Sequence, residues 1–228
     1  HWSTNIGLNY TKGAGFFEQY KAEEDAADFN NLIEDGSDVI VRRWLDNNFY
    51  VLNFNANYKT EKLNIISGVS YSNYTGDHFG EVSNFSNEEL RSAFSENWYK
   101  YYQYIGSKTS FTGFVHLLYS LTDNLKLIGD LQYQGHRWEL EQKLIGHAKG
   151  HNLSAPWNFV NPRFGLIYYM NDKISVFANY GKAQKEPADN QIIAADDVWS
   201  EPIMASAELV DNSEIGFSFI SGSINSNL

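Results

Sequence analysis

Apolar residues recur at every second position in many segments of the chain, and this spacing restricts the fold more than any other feature. One segment shows it on both sides of the short stretch 171–173. Its alternating apolar residues are Phe164, Leu166, Tyr168 and Met170, followed by Ile174, Val176, Ala178 and Tyr180. A period of two is typical of strands with one apolar and one polar face. The segment predicts a β-hairpin, which a soluble sandwich and a membrane barrel would share.

The same alternation predicts eight strands and the start of a ninth after residue 223. Short turns are predicted at 59–62, 121–124, 171–173 and 221–223, and they alternate with long loops at 12–47, 73–108, 137–158 and 182–208. These loops far exceed the median of about 4–6 residues for compact domains. Short turns at one rim and long loops at the other are typical of outer-membrane barrels. The predicted fold class is therefore all-β, an antiparallel up-and-down transmembrane β-barrel segment.

Aromatic residues near the ends of the predicted strands indicate what the apolar face contacts. Tyr50 and Tyr58 are eight residues apart, as are Phe111 and Tyr119. Eight residues of tilted strand span roughly 20 Å, close to the apolar band of about 25 Å between the aromatic girdles of such barrels. Tyrosines at the strand ends of a soluble sandwich would leave the loop rhythm unexplained. We therefore predict that the apolar face contacts lipid.

This prediction assigns individual side chains to the two faces. Residues expected to face lipid are Leu52, Phe54, Val115, Leu117, Leu166 and Val176. Residues expected to face the lumen are Asn53, Asn55, Asp130, Gln132, Arg163 and Asn179. Some apolar residues share the lumen side, namely Phe114, Leu118, Ile128, Ile167, Tyr169 and Phe177. They indicate either a lumen filled by a plug or a barrel interior that tolerates apolar groups.

Composition excludes several other classes of protein. No apolar run approaches the roughly 18 residues of a transmembrane helix, which excludes a helical membrane protein. The formal charge of −11 argues against a nucleic-acid partner. Cysteine is absent, so neither a disulfide framework nor a thiolate metal site is expected. No catalytic triad, phosphate-binding glycine loop or nucleotide fingerprint occurs, so we predict that the chain is not an enzyme.

Three groups of residues invite a metal-site interpretation, and each has a simpler one. Asp77, His78 and Glu81 form a possible metal constellation, but such a trio also arises by chance in an acidic loop. The histidines His136, His147 and His151 match no zinc spacing, and the acidic residues Glu23, Glu24, Asp25 and Asp28 lack the ligand pattern of a calcium loop. We predict solvated side chains, no metal site and no cofactor.

The predicted long loops are rich in aromatic residues and arginine, as the mouth of a ligand-capturing receptor would be. The candidate ligand-binding residues are Arg91, Trp98, Tyr99, Tyr102, Arg137, Trp138 and Trp157. The alternative for each is that it only packs one loop on another. The run Arg42-Arg43-Trp44 could instead contact anionic lipid of the outer leaflet.

Several stretches resemble TonB-dependent outer-membrane receptors of the Bacteroidetes type. They include "NPRFGLIYYMNDKISVFANYGKAQKEP" at 161–187 and "ELVDNSEIGFSF" at 208–219. The resemblance covers nearly the whole chain and implies a 22-stranded barrel, an N-terminal plug and a motif that engages TonB, the periplasmic energy-coupling protein. The start at His1-Trp2 lacks a signal peptide, and the end lacks a closing amphipathic strand. We therefore expect residues 1–228 to be a partial barrel domain without plug.

The resemblance implies active uptake of a scarce nutrient, most simply a ferric siderophore or cobalamin, across the outer membrane of a Gram-negative bacterium. The expected partners are the TonB complex through the missing plug region, outer-membrane lipid and the small-molecule chelate. Three alternatives remain at this stage. They are a glycan-importing receptor of the same superfamily, a self-contained small barrel acting as an adhesin or structural protein, and a soluble β enzyme.

Overall fold

The described part of the chain forms one antiparallel sheet of nine strands in sequential order. In the computed structural model, the described residues are 1–84, 98–146, 148–221 and 224–227. The strands are β1 (Trp2–Glu24), β2 (Ser37–Lys59), β3 (Leu63–Asn84), β4 (Tyr99–Ser120), β5 (Leu125–Ile145), β6 (Asn152–Asn171), β7 (Ile174–Lys185), β8 (Glu208–Ser221) and β9 (Ile224–Asn227). The predicted up-and-down β fold is confirmed.

Short turns join the strands at one end of the sheet, as predicted, and local side chains hold them. In the turn after β2, Thr60 Oγ1 accepts a hydrogen bond of 3.0 Å from Leu63 N. In the turn after β6, Asn171 Oδ1 accepts from the backbone N–H groups of Lys173 and Ile174. Asn and Thr favour turns because their side chains can replace a backbone hydrogen-bonding partner. Residues 222–223 of the last predicted turn lie outside the described residues.

The long loops predicted at 12–47, 73–108 and 137–158 are largely strand, and this part of the prediction is wrong, whereas the loop predicted at 182–208 is present as the connection 186–207. β1 and β2 remain paired as far as Glu24 and Ser37, so only 25–36 connects them. β5 and β6 extend to residues 145 and 152. The alternating pattern stops near Tyr10 and Tyr50 because polar residues such as Lys12 and Asp46 then occupy the apolar face. The backbone ladder does not depend on that face, and it continues.

The two faces of the sheet differ in what covers them. We call the side carrying Leu52 and Leu166 the outer face, and the side carrying Asn53 and Val41 the inner face. In the half of the sheet next to the short turns, the outer-face side chains are apolar and no other part of the protein covers them. Leu8 is 80 % exposed and Ile215 is 86 % exposed. A monomeric soluble protein rarely leaves so large an apolar surface open. The inner face carries the buried clusters described below.

The strands are staggered by about one residue per strand. The residues paired side by side on the successive strands β2 to β7 are Tyr58, Ile65, Leu117, Gly129, Phe164 and Tyr180. Tyr58 lies one residue from the turn end of β2 at Lys59, and Tyr180 lies six residues from the turn end of β7 at Ile174. A stagger of about 3.3 Å for each strand spacing of about 4.8 Å corresponds to a tilt of roughly 35°, as in β-barrels.

A row of tyrosines on the outer face marks the end of the apolar surface. Tyr10 and Tyr50 stack with ring centroids 4.6 Å apart, and the Tyr10 hydroxyl donates to Asn48 Oδ1 at 2.8 Å. Farther along the sheet, Tyr133 donates to Asn158 Oδ1, and Tyr180 donates to Asp211 Oδ1. At Tyr10, Tyr133 and Tyr180 an apolar ring ends in a hydroxyl with a polar partner, which is the arrangement expected at a lipid–water boundary.

The buried residues lie on the inner face beyond this row, in two clusters. The first contains Phe29, Val39, Val41, Val82 and Tyr101, where the 3-10 turn Ala26–Phe29 packs on β2, β3 and β4. The second contains Trp138, Leu140, Ala155, Ile192 and Ile193. Ile192 and Ile193 belong to the connection 186–207, which folds over the inner face and which we call the strap. It contains one helical turn, α1 (Asp189–Ile192).

Neither helical turn in the described chain, each four residues long, could cross a bilayer. In the described strands, β1 and β9 each pair on one side only. The second open edge of the described sheet is therefore β9, the strand whose start the sequence predicts after residue 223. A self-contained barrel would require β1 to pair with the last strand, and the described sheet does not close in this way.

Candidate ligand site on the inner face

Polar contacts attach the strap to strands that are far apart in the sequence. At its start, Glu186 forms an ion pair with Lys108 of β4, and its second carboxylate oxygen lies 3.7 Å from His136 Nε2. In the middle, Asp196 Oδ2 lies 3.1 Å from Arg43 Nη1 of β2. These contacts hold the strap across β4 and β2, with β3 between them in the sheet.

Two hydrogen bonds and an apolar contact complete the attachment. Gln142 Nε2 donates to the carbonyl oxygen of Ala195 at 2.9 Å, and Trp199 Nε1 donates to Asp28 Oδ1 at 2.8 Å. Ile192 and Ile193 are each 4 % exposed, packed in the cluster with Trp138. The strap is therefore held by a small apolar anchor and by polar contacts on both sides of it.

A cavity of about 620 Å³ lies between the strap and the sheet. Its walls include five aromatic rings, those of Phe49 of β2, Tyr74 and His78 of β3, Tyr104 of β4 and Trp138 of β5. Its charged lining residues are Lys108, Asp189 and Asp196. The volume is within the range of about 300–1,000 Å³ that small-molecule sites occupy. The cavity begins just beyond Tyr50, so it lies past the end of the apolar outer surface.

Glycines at two paired positions shape the aromatic wall. Gly76 and Gly106 lie opposite each other in β3 and β4. Tyr74, Gly76 and His78 share the inner face, and the Tyr74 hydroxyl lies 3.2 Å from His78 Nε2 across the glycine between them. A Cβ at Gly76 would lie 2.8 Å from His78 Nε2, whereas one at Gly106 would meet nothing within 4 Å. Gly76 therefore permits the contact between Tyr74 and His78, and Gly106 leaves open space.

The aromatic wall is uncharged at neutral pH. The rings of His78 and Tyr104 stack at 4.7 Å with an interplanar angle of 9°. Burial lowers the pKa of His78 below its usual value, although Asp77, Asp189 and Asp196 act in the opposite direction. Burial also raises the pKa of Tyr104 to about 12. Both groups are therefore neutral near pH 7, and the wall presents polarisable rings with a few polar atoms.

The charged groups beside the cavity compensate one another in part. Burial opposes the ionised form of Glu186, but the hydrogen bond from Lys108 and the charges of Lys108 and His136 together lower its pKa below the usual value. Glu186 is therefore an anion beside Lys108. Arg43 pairs with Asp196. No ion pair among the described residues includes Asp189.

The residues predicted to bind ligand do not form one group. Trp138 lines the cavity, and Trp157 packs against the same apolar cluster. Tyr102 is buried in the first cluster, and Tyr99 packs against it, partly buried. Except for Trp98, which precedes β4, the predicted residues in the described chain lie on strands and not in loops.

Two of the predicted residues lie on the outer face, and one cannot be placed. Arg137 is exposed on the side of β5 opposite to Trp138. The ring of Trp98 stacks on the guanidinium of Arg42 at 3.8 Å, on the outer face. Arg91 lies outside the described residues. The run Arg42-Arg43 is also divided, because Arg42 pairs with Glu18 on the outer face and Arg43 pairs with the strap.

The residues assigned to the two faces from the alternation lie together on those faces. Leu52, Phe54, Val115, Leu117, Leu166 and Val176 share the outer face. Asn53, Asn55, Asp130, Gln132, Arg163 and Asn179 share the inner face, as do the apolar exceptions such as Phe114. On the inner face, Asp130 Oδ1 lies 2.6 Å from His116 Nδ1, and Asn161 donates to the side chain of Gln132.

The suggested metal constellation is divided between the faces. Asp77 accepts two hydrogen bonds of 2.9 Å from Gln103 Nε2, and Glu81 accepts one of 2.8 Å from Trp44 Nε1. His78 lies on the inner face, away from both. Within the described residues, no three His, Asp or Glu side chains are placed to hold a metal ion together. In the acidic run, Asp25 instead caps the 3-10 turn by accepting from Ala27 N.

Sequence reasoning missed most of the cavity. Phe49, Tyr74, Lys108, Glu186, Asp189 and Asp196 were not among the candidates. One local signal was available in the strap, because the apolar pair Ile192-Ile193 interrupts a polar segment and indicates a buried contact. Aromatic residues at inner positions beyond Tyr71, such as Tyr74, were a second signal. The pairing of the strap with β2 and β4 has no local signal, because its partners are distant in sequence.

Comparison with known proteins identifies the type of fold. The structural match to the ferric yersiniabactin uptake receptor FyuA from Yersinia pestis extends over 97 % of this chain and 31 % of that receptor, with 12 % identity and a TM-score of 0.59. The match to the siderophore receptor PiuA from Acinetobacter baumannii extends over 96 % of this chain and 38 % of that receptor, with 13 % identity and a TM-score of 0.58. For the copper transporter OprC the coverage is 97 % and 33 %, with 10 % identity and a TM-score of 0.59.

These similarities are structural. No curated protein matches the sequence, and the chain spans about a third of the length of the three structures. The profile of one family, described as TonB dependent receptor-like, beta-barrel, matches residues 1–228. Its members are outer-membrane receptors and not enzymes. Because the match covers the whole chain, the protein belongs to the TonB-dependent receptor β-barrel family.

Proposed function

We propose that this chain is part of the barrel wall of an outer-membrane receptor that imports a scarce nutrient in a Gram-negative bacterium. The observation that carries the proposal is the aromatic cavity between the strap and the inner face, beyond the tyrosine row. A receptor needs a ligand site on the water side of the apolar band and on the lumen side of its wall. Family membership supports the same function.

The nutrient that we propose is a ferric chelate or cobalamin. FyuA and PiuA are receptors for ferric yersiniabactin and a siderophore by their names. At 12 % and 13 % identity the likeness concerns the fold alone. The proposed ligand class is therefore argued from the lining of the cavity. The aromatic rings of the lining suit a large ligand with planar groups, and a few polar atoms can orient it.

The proposed function also orients the wall in the membrane. The outer face between the tyrosine row and the short turns contacts outer-membrane lipid, the short turns lie at the periplasmic rim and the strap lies at the extracellular side. Residues 1–228 form part of a larger barrel of about 22 strands, and a plug elsewhere in the whole protein fills the lumen. The TonB complex acts through that plug. The wall itself performs no covalent chemistry, because its role is to bind ligand and enclose the path.

Filling the cavity tests this function. In the full-length receptor, Gly106→Phe places a ring in the open space that Gly106 borders. We expect this variant to reach the outer membrane in normal amounts and to lose uptake of radiolabelled iron from a panel of ferric siderophores, or of cobalamin. Uptake by the wild type should stop when TonB is deleted. The assay uses a host that lacks the native copy of the gene.

The matched control is Gly15→Phe. Gly15 also lies on the inner face beyond the tyrosine row, a Cβ there meets nothing within 4 Å, and it does not line the cavity. This variant should import normally. Normal import by Gly106→Phe would contradict the role of the cavity, and uptake that persists without TonB would contradict the energised mechanism.

A further inference from the structure

The charges around the cavity restrict the chemistry of its ligand. Both cations near the cavity already have an anionic partner, since Lys108 pairs with Glu186 and Arg43 pairs with Asp196. Asp189 lines the cavity and has no ion pair among the described residues. Among the described residues, the lining therefore carries a net negative charge and has no cation without an anionic partner.

The aromatic wall favours the same charge. The faces of aromatic rings carry the negative pole of their quadrupoles, and such faces attract cations and stack on planar groups. An anionic group in the cavity would instead meet these faces together with the carboxylate of Asp189. In a partly enclosed cavity, this repulsion is screened less than it would be in water.

We propose, on the basis of the function proposed above, that the cavity under the strap binds a planar group that is uncharged or cationic. A polyanionic ferric chelate would therefore not place its charged face against this wall. Among nutrient chelates, the inference selects those that present a neutral or protonated aromatic or heteroaromatic ring. The aromatic wall contacts the ring, and Asp189 accepts a hydrogen bond from an N–H group on it.

Three probes that share one ring system test the inference. They are 1-naphthylmethylamine, which is cationic at pH 7, 1-naphthylmethanol, which is neutral, and 1-naphthylacetate, which is anionic. Binding to the full-length receptor in lipid nanodiscs is measured by calorimetry. The Gly106→Phe receptor in the same nanodiscs is the control for nonspecific partition of the probes into lipid. We expect the amine and the alcohol to bind, and the acetate to bind at least about tenfold more weakly than the amine.

Two variants separate the effect of the charge from a change in fold. Asp189→Asn removes the charge from the lining and should reduce the preference for the amine over the acetate several-fold. Asp172→Asn, in the exposed turn between β6 and β7, removes one charge far from the cavity and should leave the preference unchanged. An unchanged preference in Asp189→Asn would overturn the inference.

The outcomes also distinguish this inference from the proposed function. If the acetate binds most tightly to the wild type and not to Gly106→Phe, the cavity is a ligand site but the charge inference is wrong. If no probe binds the wild type better than Gly106→Phe, the cavity is not a ligand site for such rings, and both proposals fail.

Discussion

Leu166 and Asn179 lie in paired strands within a few residues of each other, and they face opposite sides of the sheet. Leu166 is exposed on the outer face together with Phe164, and Asn179 lies on the inner face beside Gly165. At this scale, a single side chain meets either the surface that we assign to lipid or the surface that we assign to the lumen. The two positions therefore form a matched pair for testing that assignment.

Arginine at these two positions should have unequal effects on assembly of the full-length protein. Leu166→Arg places a charge in the apolar band, which costs about 2–4 kcal/mol near the bilayer midplane, whereas Asn179→Arg keeps its charge in the lumen. We expect the first variant to be depleted from the outer membrane and the second to assemble. The measurement is the amount of folded receptor in outer-membrane fractions, and equal behaviour would contradict the assignment of the faces.

A second residue-scale prediction concerns the glycines of the cavity wall. Gly76→Ala brings a methyl group against the Tyr74 hydroxyl and to 2.8 Å from His78 Nε2, so both side chains must move and the stacking of His78 on Tyr104 is disturbed. Such overpacking costs about 1–3 kcal/mol. We expect a lower midpoint of thermal unfolding for the full-length receptor, measured by circular dichroism. Gly106→Ala, at the paired position, has open space and should leave the midpoint unchanged; equal shifts in both variants would refute this explanation.

At the scale of elements, the strap has little regular structure, and several kinds of contact hold it. Its apolar anchor is small, consisting chiefly of Ile192 and Ile193. Its other contacts are ion pairs and hydrogen bonds at Glu186, Asp196 and Trp199. An element with few buried apolar contacts opens at a lower free energy than the strands around it. The strap is thus the part of the site that a change of pH should affect first.

Acidification should loosen the strap in two steps. Burial lowers the pKa of His136 below 6.5, so stability is lost as the pH falls below that value toward the pKa in the folded state. The pKa of Glu186 is below 4.5 in the folded protein, because the effect of Lys108 and His136 exceeds that of burial. Its contribution is complete above pH 4.5 and is lost as the pH falls through the lower value. Both effects lower stability as the pH falls, although the attraction between a protonated His136 and Glu186 acts against the first.

Hydrogen exchange in the full-length receptor measures this loosening. Protection factors, which correct for the intrinsic pH dependence of exchange, should fall for residues 189–200 between neutral and acidic pH, and those of β3 should not. Glu186→Gln removes the ion pair with Lys108 and should lower the protection of the strap already at neutral pH. A strap whose protection is independent of pH in the wild type, or unaffected by Glu186→Gln, would show that these contacts do not hold it.

The whole molecule is an amphipathic sheet with two open edges in its described part. Side chains of the outer face, such as Ile6 and Leu8, have no protein cover, and the long edge of β1 pairs only with β2. An unpaired edge in lipid leaves backbone polar groups without partners, which is costly enough that membrane sheets close into barrels. The stagger of about one residue per strand gives the tilt of a barrel, but the nine strands do not close by themselves.

We therefore predict that residues 1–228 expressed alone do not form an inserted barrel. Folded outer-membrane barrels migrate differently on gels before and after heating. The full-length receptor refolded in vesicles should show this shift, and the isolated piece should not. A heat-dependent shift for residues 1–228 alone would support the self-contained small barrel instead of the receptor wall.

The sequence alone was sufficient for the part of the sheet next to the short turns. There, apolar residues such as Leu52 and Leu166 alternate with polar ones, because one face is apolar and the other is not. The same pattern failed beyond Tyr10 and Tyr50. Strands remain paired there through backbone hydrogen bonds, and the side chains of both faces are mixed, so periodicity no longer distinguishes strand from loop. The assignment of Arg137 and Trp138 to loops was wrong for this reason, whereas Trp98 does precede β4.

What the sequence by itself determined is the β class, the positions of the short turns and the division of Leu166 from Asn179, all of which depend on neighbouring residues. Only the tertiary structure decided that the strap lies over the inner face, that Lys108 meets Glu186 and Arg43 meets Asp196, and that Tyr74, Tyr104 and Trp138 enclose one cavity. These contacts join residues that are far apart in the chain. They depend on strand register, stagger and the path of one long connection, and no local pattern encodes that path.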